Sequence, residues 1–166
     1  MKLWDKSTNF CLATFQEHDS TVTDVKFSNP TTLFSCSLDG SVHAYDAVRY
    51  RKFRTYRPDG KCQLNALALD EAGEIVFASS FDPYEVYGWN VQTANILQII
   101  RGHEGPVSCL ALSGERMVTG SWDRTLKIHE IYARKLNVET LEHSSQLTAL
   151  AVHPDGKQIA AATIKG

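Results

Sequence analysis

The sequence lacks the features that would indicate a membrane, a secreted or a strongly polyanion-binding protein. No apolar run approaches the roughly 18 residues of a membrane span, and the first ten residues carry no apolar signal-peptide core. The four cysteines form no Cys-x-x-Cys pair and three lie in apolar strand patterns, so a reducing intracellular compartment fits best. The 17 basic and 19 acidic residues give a net charge of −2, which supplies no general attraction to nucleic acid.

Motifs for enzymatic chemistry are also missing. The chain contains neither G-x-x-x-x-G-K-[ST] nor G-x-G-x-x-G, and neither His103-Glu104 nor His129-Glu130 is followed by the second histidine of H-E-x-x-H. No G-x-S-x-G motif accompanies the serines. We therefore expect no metal, no cofactor, no small-molecule substrate and no catalytic activity.

What the chain does contain is a repeat with a period near 41 residues. Each of the three intact copies has an apolar stretch, Ser-x-Asp, a short apolar strand, and an aromatic residue, or histidine in the last copy, followed by an acid or amide. The successive intervals are 41 residues from Asp5 to Asp46, 44 from Asp46 to Asn90 and 40 from Asn90 to Glu130. A period of roughly 40 to 45 with a Trp-Asp signature is typical of the WD-repeat β-propeller, which has four strands, a to d, in each blade.

Alternating apolar and polar residues predict an all-β fold of about three complete four-stranded blades and two half blades. The expected domain is one partial propeller, divided into a half blade at 1–17, blades at about 18–57, 58–101 and 102–142, and a half blade at 143–166. The predicted strands are Lys2–Asp5, Phe10–Phe15, Val22–Phe27, Leu33–Ser37, Val42–Asp46, Lys52–Tyr56, Leu64–Leu69, Ile75–Ser79, Glu85–Asn90, Ile96–Ile100, Val107–Leu112, Met117–Ser121, Leu126–Ile131, Leu136–Leu141, Leu147–Val152 and Gln158–Thr163.

The order of strands leaves two arrangements open, because the pattern begins with strands c and d and ends with strands a and b. These half blades could join into one composite blade and close a four-bladed ring, or the chain could be an open part of a larger propeller. Rings of four blades lie at the lower limit of the roughly four to eight blades seen. We expect the open arrangement, with Leu3 and Thr163 on different blades.

Polar residues at fixed places in the repeat predict a structural network. In WD repeats a loop His, a strand-b Ser or Thr, the turn Asp and the strand-c Trp can form a buried hydrogen-bonded tetrad. No repeat here has all four types, so partial networks are expected. A catalytic role for His103, Ser121 and Asp123 is far less favoured than a structural one. The assigned members are His18, Asp39, Asp82, Trp89, His103, Asp123 and either Ser121, which we prefer, or Thr119.

Two surface features are candidates for partner binding. Leu38, Phe81 and Trp122 precede the three turn aspartates and could form an apolar arc on one face, or pack on neighbouring turns. The segment 49–61 interleaves basic and aromatic residues, which suits RNA or an acidic partner, although positive charge also protects an outer edge strand from pairing. Its candidate binding residues are Arg49, Arg51, Lys52, Arg54 and Arg57, of which strand alternation puts Lys52 and Arg54 on one side and the others opposite.

Three segments carry a narrower resemblance. Asp46–Asp59, Leu69–Thr93 and Gly102–Ser113 resemble the periodic tryptophan protein 2 family, and the similarity extends over essentially the whole chain. The most specific feature is the interval from Asp82 to Trp89, which is one residue longer than those from Asp39 to Tyr45 and from Asp123 to His129. His129-Glu130 in place of Trp-Asp departs from the family pattern.

The resemblance implies a nucleolar scaffold protein of the small-subunit processome. Members act with U3 small nucleolar RNA on pre-rRNA, supporting the formation of 18S rRNA and the small ribosomal subunit. Implied partners are other WD-repeat and helical processome proteins, with pre-rRNA or U3 RNA as further candidates and no membrane. A general WD-repeat adaptor outside ribosome assembly is the alternative, since periodicity alone would look the same.

Overall fold

The computed structural model describes residues 1–132 and 138–165, and every regular element within those ranges is a β-strand. We number the strands in chain order. The first hairpin and the first four-stranded sheet comprise β1 Lys2–Trp4, β2 Cys11–Thr14, β3 Val22–Asn29, β4 Thr32–Ser37, β5 Val42–Asp46 and β6 Arg51–Tyr56. The second sheet comprises β7 Gln63–Leu69, β8 Ile75–Asp82, β9 Val86–Asn90 and β10 Ile96–Ile100. The third sheet and the last hairpin comprise β11 Val107–Ser113, β12 Arg116–Ser121, β13 Thr125–Glu130, β14 Val138–Glu142, β15 Leu147–Val152 and β16 Ile159–Thr163.

The sheets are the blades that the repeat predicts. Three four-stranded antiparallel sheets have their strands in chain order, and each is flanked by neighbours of the same kind or by a two-stranded hairpin. The hairpins β1–β2 and β15–β16 are separate sheets, so Leu3 and Thr163 lie on different blades as expected. Residues 136 and 137 of the predicted strand Leu136–Leu141 lie outside the described residues. The all-β propeller and its open arrangement are confirmed.

The core lies between the blades, and side-chain alternation explains how. Phe34 packs toward the second blade with Tyr56 and Leu64, whereas its neighbour Leu33 packs toward the first hairpin. In the third blade, Met117 packs toward the second blade, whereas its neighbour Val118 packs toward the last hairpin. Strand b of each blade is therefore buried on both faces, which accounts for its nearly continuous run of apolar and small residues.

Hydrogen bonds between the inner strands also join neighbouring blades. Thr23 Oγ1 donates to the carbonyl oxygen of Leu64 at 3.0 Å, and Ser108 Oγ donates to that of Leu147 at 2.7 Å. The Leu67 backbone N–H donates to Asp24 Oδ2 at 2.9 Å. Because each bond spans two sheets, the blades support one another through polar as well as apolar contacts.

Candidate functional site

The turn between β4 and β5 anchors a first buried polar network. His18 Nδ1 lies 2.9 Å from Asp39 Oδ2, and its Nε2 lies 2.7 Å from Ser35 Oγ. The assignment that satisfies both contacts has the Nδ1–H donating to the carboxylate and the hydroxyl donating to Nε2. This histidine therefore joins a loop, strand β4 and the turn.

A second histidine extends the first network. The rings of His18 and His43 stack with centroids 4.0 Å apart. His43 Nε2 lies 3.2 Å from Ser41 Oγ, and its Nδ1 lies 3.2 Å from the hydroxyl of Tyr45, the residue in the place of Trp. Burial is the main cause that lowers the pKa of His43 to about 4, followed by the charges of His18 and Lys52. The imidazole is therefore neutral at physiological pH.

The third blade holds the same network with different residues. His103 Nδ1 lies 2.8 Å from Asp123 Oδ2, and its Nε2 lies 2.7 Å from Thr119 Oγ1. The series of hydrogen bonds then continues to His129, whose Nε2 lies 3.1 Å from the same threonine oxygen. His129 thus replaces the Trp of the tetrad, and this blade has four members where a partial network was expected.

Of the two candidate hydroxyls, the one that reaches the histidine is Thr119. Ser121 Oγ instead donates to the carbonyl oxygen of Gly105 at 3.0 Å and accepts the backbone N–H of Asp123 at 3.1 Å. Thr119 is fully buried, so its hydroxyl cannot reach a substrate. The hydrogen bonds of His103, Thr119 and Asp123 tie a loop, strand β12 and the turn together, and the network offers no exposed nucleophile.

The carboxylates of both networks are strongly bonded. Burial alone would raise the pKa of Asp123, but hydrogen bonds from Thr125, the Glu104 backbone and His103 outweigh it and lower the pKa to about 2. Asp39 has its pKa lowered in the same way, against burial, mainly by Ser41 and His18. Burial lowers the pKa of His129 to about 4. Each network therefore combines an ionised carboxylate with one buried imidazole that is neutral near pH 7, His43 in the first blade and His129 in the third.

The middle blade has no such network. Asp82 is exposed and its carboxylate has no hydrogen bond or ion pair with the described residues, although Trp89 is fully buried. The indole Nε1 of Trp89 has no partner in the described structure, because register places Ala78 where the other blades have Ser35 and Thr119. The structure therefore does not bring Asp82 and Trp89 together in a polar network.

The three residues that precede the turn aspartates are partly accessible. Trp122 is 42% exposed, and Leu38 and Phe81 are half-buried. Phe81 and Trp122 pack against each other across neighbouring blades, with ring centroids 5.6 Å apart. Leu38 lines a cleft that also reaches Asp82 in the next turn. The three turns thus lie side by side and present a surface with two paired aromatic rings.

The basic residues lie on and around β6, the outer strand of the first blade. Tyr45 opposes Lys52 while Ala44 opposes Arg54, so a bulge interrupts the ladder at Phe53. The expectation that Lys52 and Arg54 share one side is therefore wrong, because the extra residue reverses the alternation. Arg49 and Arg57 flank the strand rather than belonging to it.

Metal and membrane features are not found in the part of the chain that the structure describes. No group of three or more His, Cys, Asp or Glu side chains there could hold a metal ion. Within the same residues, no helix is long and apolar enough to cross a membrane.

Comparison with known proteins places the chain among repeat proteins. The family described as WD domain, G-beta repeat matches residues 9–46, 94–130 and 135–164, which is more than half of the chain. Periodic tryptophan protein 2 of Saccharomyces cerevisiae is 47% identical over 169 residues, covering 100% of this chain and 18% of that protein. The periodic tryptophan protein 2 homolog of Dictyostelium discoideum is 36% identical, again over 100% of the chain and 18% of the relative.

A more distant relative gives the scale of these similarities. The guanine nucleotide-binding protein subunit beta of Arabidopsis thaliana is 29% identical over 76% of the chain and 37% of its own length. The resemblance to periodic tryptophan protein 2 is thus confirmed over the whole chain, which spans about a fifth of the length of those relatives. Since the repeat profile matches three segments that together make up more than half of the chain, the chain belongs to the WD domain, G-beta repeat family.

Proposed function

We propose that the protein containing this chain is a non-catalytic scaffold of the small-subunit processome in the nucleolus. It would support U3-dependent processing of pre-rRNA and hence the formation of 18S rRNA. The observation that carries the proposal is the 47% identity to periodic tryptophan protein 2 of yeast along the entire chain, compared with 29% to a G-protein subunit over part of it. A general WD-repeat adaptor outside ribosome assembly is the second candidate.

The contacts between blades and the accessible turns support a scaffold role. Apolar clusters and hydrogen bonds connect each blade to the next, so surfaces on different blades are held in a fixed relation. The polar networks lie inside this framework, with Thr119 and His129 almost inaccessible to solvent. Binding surfaces fixed on a stable frame are what an assembly of several WD-repeat and helical proteins requires.

Depletion of the full-length protein tests the proposal. We expect the mature 18S rRNA to fall severalfold while the rRNA of the large subunit stays near its normal level. A tagged full-length protein should also copurify with U3 RNA and 18S precursors. If the 18S level is unchanged and neither RNA copurifies, the adaptor outside ribosome assembly becomes the better description.

A double substitution tests the aromatic pair on the turn face. We expect Phe81→Ala with Trp122→Ala to reduce the recovery of partner proteins with the tagged full-length chain severalfold, because exposed aromatic residues commonly anchor interfaces. The cost in unfolding free energy should stay within about 2 kcal/mol, because both rings are partly exposed and their pairing adds about 1 kcal/mol to the burial of their surfaces.

Leu97→Ala is the matched control for that variant, because Leu97 is 55% exposed on the outer strand β10. It should leave the recovery of partners unchanged. If the double variant binds partners normally and loses much more stability, the two rings serve only to pack the turns together.

A further inference from the structure

The positive charges around β6 differ in how far they are neutralised. Arg49 Nη1 lies 3.9 Å from Asp46 Oδ2, and Arg51 lies directly opposite Asp46 in the ladder. Backbone hydrogen bonds and then both arginine charges lower the pKa of Asp46. Lys52, Arg57 and Lys61 have no ion pair or hydrogen bond among the described residues. Burial and the charge of His18 lower the pKa of His43, and the positive charges of Lys52 and Arg57 lower it further. This effect is expected of positive charges that no carboxylate neutralises.

Aromatic rings accompany these free charges. Tyr50 is 44% and Phe53 is 48% exposed, and both lie between basic residues. Phe53 lies at the bulge, between Lys52, which opposes Tyr45, and Arg54, which opposes Ala44. The bulge also interrupts the outer row of backbone groups, which makes the edge a poor template for an added peptide strand. A ligand at this edge would therefore be held by side chains.

A cleft continues this surface toward the turns. It has a volume of about 600 Å³, and its charged lining residues are Arg57, Lys61, Asp39 and Asp82. The Asp39 carboxylate is engaged by His18, Ser41 and the Asp19 backbone, which leaves Asp82 as the free carboxylate. Arg57 and Lys61 are thus available for an anion, with Asp82 as the one opposing free charge described there.

We propose that this surface, defined by Tyr50, Lys52, Phe53, Arg57 and Lys61, binds single-stranded RNA. The cations would contact phosphates and the two rings would stack on bases, the combination that single-strand binding proteins use. Exposed rings between the charges favour RNA over an acidic protein surface, which has no bases to stack. The proposal goes beyond the scaffold role, because a scaffold can assemble through protein contacts alone.

The test compares two pairs of charges on the same edge in the purified full-length protein. Fluorescence anisotropy measures binding of a labelled mixed-sequence single-stranded RNA of about 20 nucleotides at several salt concentrations. Lys52→Gln with Arg57→Gln should weaken binding and reduce the slope of log affinity against log salt by about 1.4, or about 0.7 per lost phosphate contact. The control Arg49→Gln with Arg51→Gln removes the same charge beside Asp46 and should change the slope by less than half as much.

Two further variants separate specific contacts from general charge. Tyr50→Ala with Phe53→Ala should lower RNA affinity about fivefold or more, while leaving the affinity for labelled polyglutamate unchanged. Asp82→Asn should strengthen RNA binding, because the carboxylate repels phosphate in the cleft. Photocrosslinking to 4-thiouridine RNA should label peptides within residues 49–61.

Several outcomes would overturn the proposal. Equal effects of the two charge pairs would show nonspecific attraction, and an aromatic variant that binds RNA normally but polyglutamate more weakly would indicate an acidic protein partner. Crosslinks found only outside residues 49–61 would place the RNA elsewhere. Because the assay uses purified components, RNA binding can succeed even if 18S rRNA is unaffected by depletion, and it can fail even if the scaffold role holds.

Discussion

Lowering the pH from about 7 to 4.5 should destabilise the first and third blades through His43 and His129. Both side chains are 1% exposed, and burial lowers both pKa values from 6.5 to about 4. An unfolded chain binds protons at these histidines below pH 6.5, whereas the folded chain resists them until about pH 4. The stability that each contributes is thus complete above pH 6.5 and is lost as the pH falls toward 4. A shift of about 2.5 units corresponds to about 3 kcal/mol for each histidine.

Amide hydrogen exchange in the full-length protein measures this effect locally. The opening free energies of β5 and β13 should fall by about 2 to 3 kcal/mol between pH 7 and 4.5, a range in which Asp123 stays ionised. The double variant His43→Tyr with His129→Tyr is the control. Tyr87 lies at the position of His43 in the second blade, and Tyr45 lies at the position of His129 in the first blade. If acidification from pH 7 to 4.5 lowers the opening free energies of the variant as much as those of the natural protein, the two histidines do not cause the acid sensitivity.

The strand pattern was predictable because the blades impose a simple alternation. Strands b and c face neighbouring blades on both sides, so their apolar runs and the turn residues between them mark each blade in the sequence. The extra residue between Asp82 and Trp89 was also visible in the sequence. The end of the strand before it was not, because β8 extends to Asp82 and was expected to end at Ser79. These features depend on local sequence, which a repeat of about 41 residues reinforces several times.

The polar networks were less predictable because they depend on register. Thr119 and Ser121 are two residues apart on one strand, and the sequence does not indicate which hydroxyl reaches His103. Only the pairing of Thr119 with Lys127, two residues before His129, decides between them. The bulge at Phe53 has no Gly or Pro to signal it, so the side of Arg54 was not readable from the sequence.

Asp123→Ala should destabilise the third blade by about 3 kcal/mol. The two carboxylate oxygens accept hydrogen bonds from His103 Nδ1 at 2.8 Å, from the Glu104 backbone at 3.0 Å, and from the backbone and hydroxyl of Thr125 at 2.8 and 2.6 Å. Removing the carboxylate leaves these donors without their acceptor in a site where the aspartate side chain is 9% exposed. The pKa leads to a similar value, because a shift from 3.8 to about 2 corresponds to about 2 kcal/mol that is present above pH 3.8 and lost as the pH falls through about 2.

The middle blade provides the control for this prediction within the same chain. Asp82 occupies the corresponding turn, but it is exposed and its carboxylate accepts no hydrogen bond from the described residues. Asp82→Ala should therefore change the opening free energy of β8 and β9 by no more than about 0.5 kcal/mol. Asp123→Asn should cost less than Asp123→Ala, because an amide oxygen can still accept two of the four bonds. Equal costs for the two alanine variants would mean that the turn aspartate stabilises the blade through the turn itself, and that His103 and Thr119 add little to it.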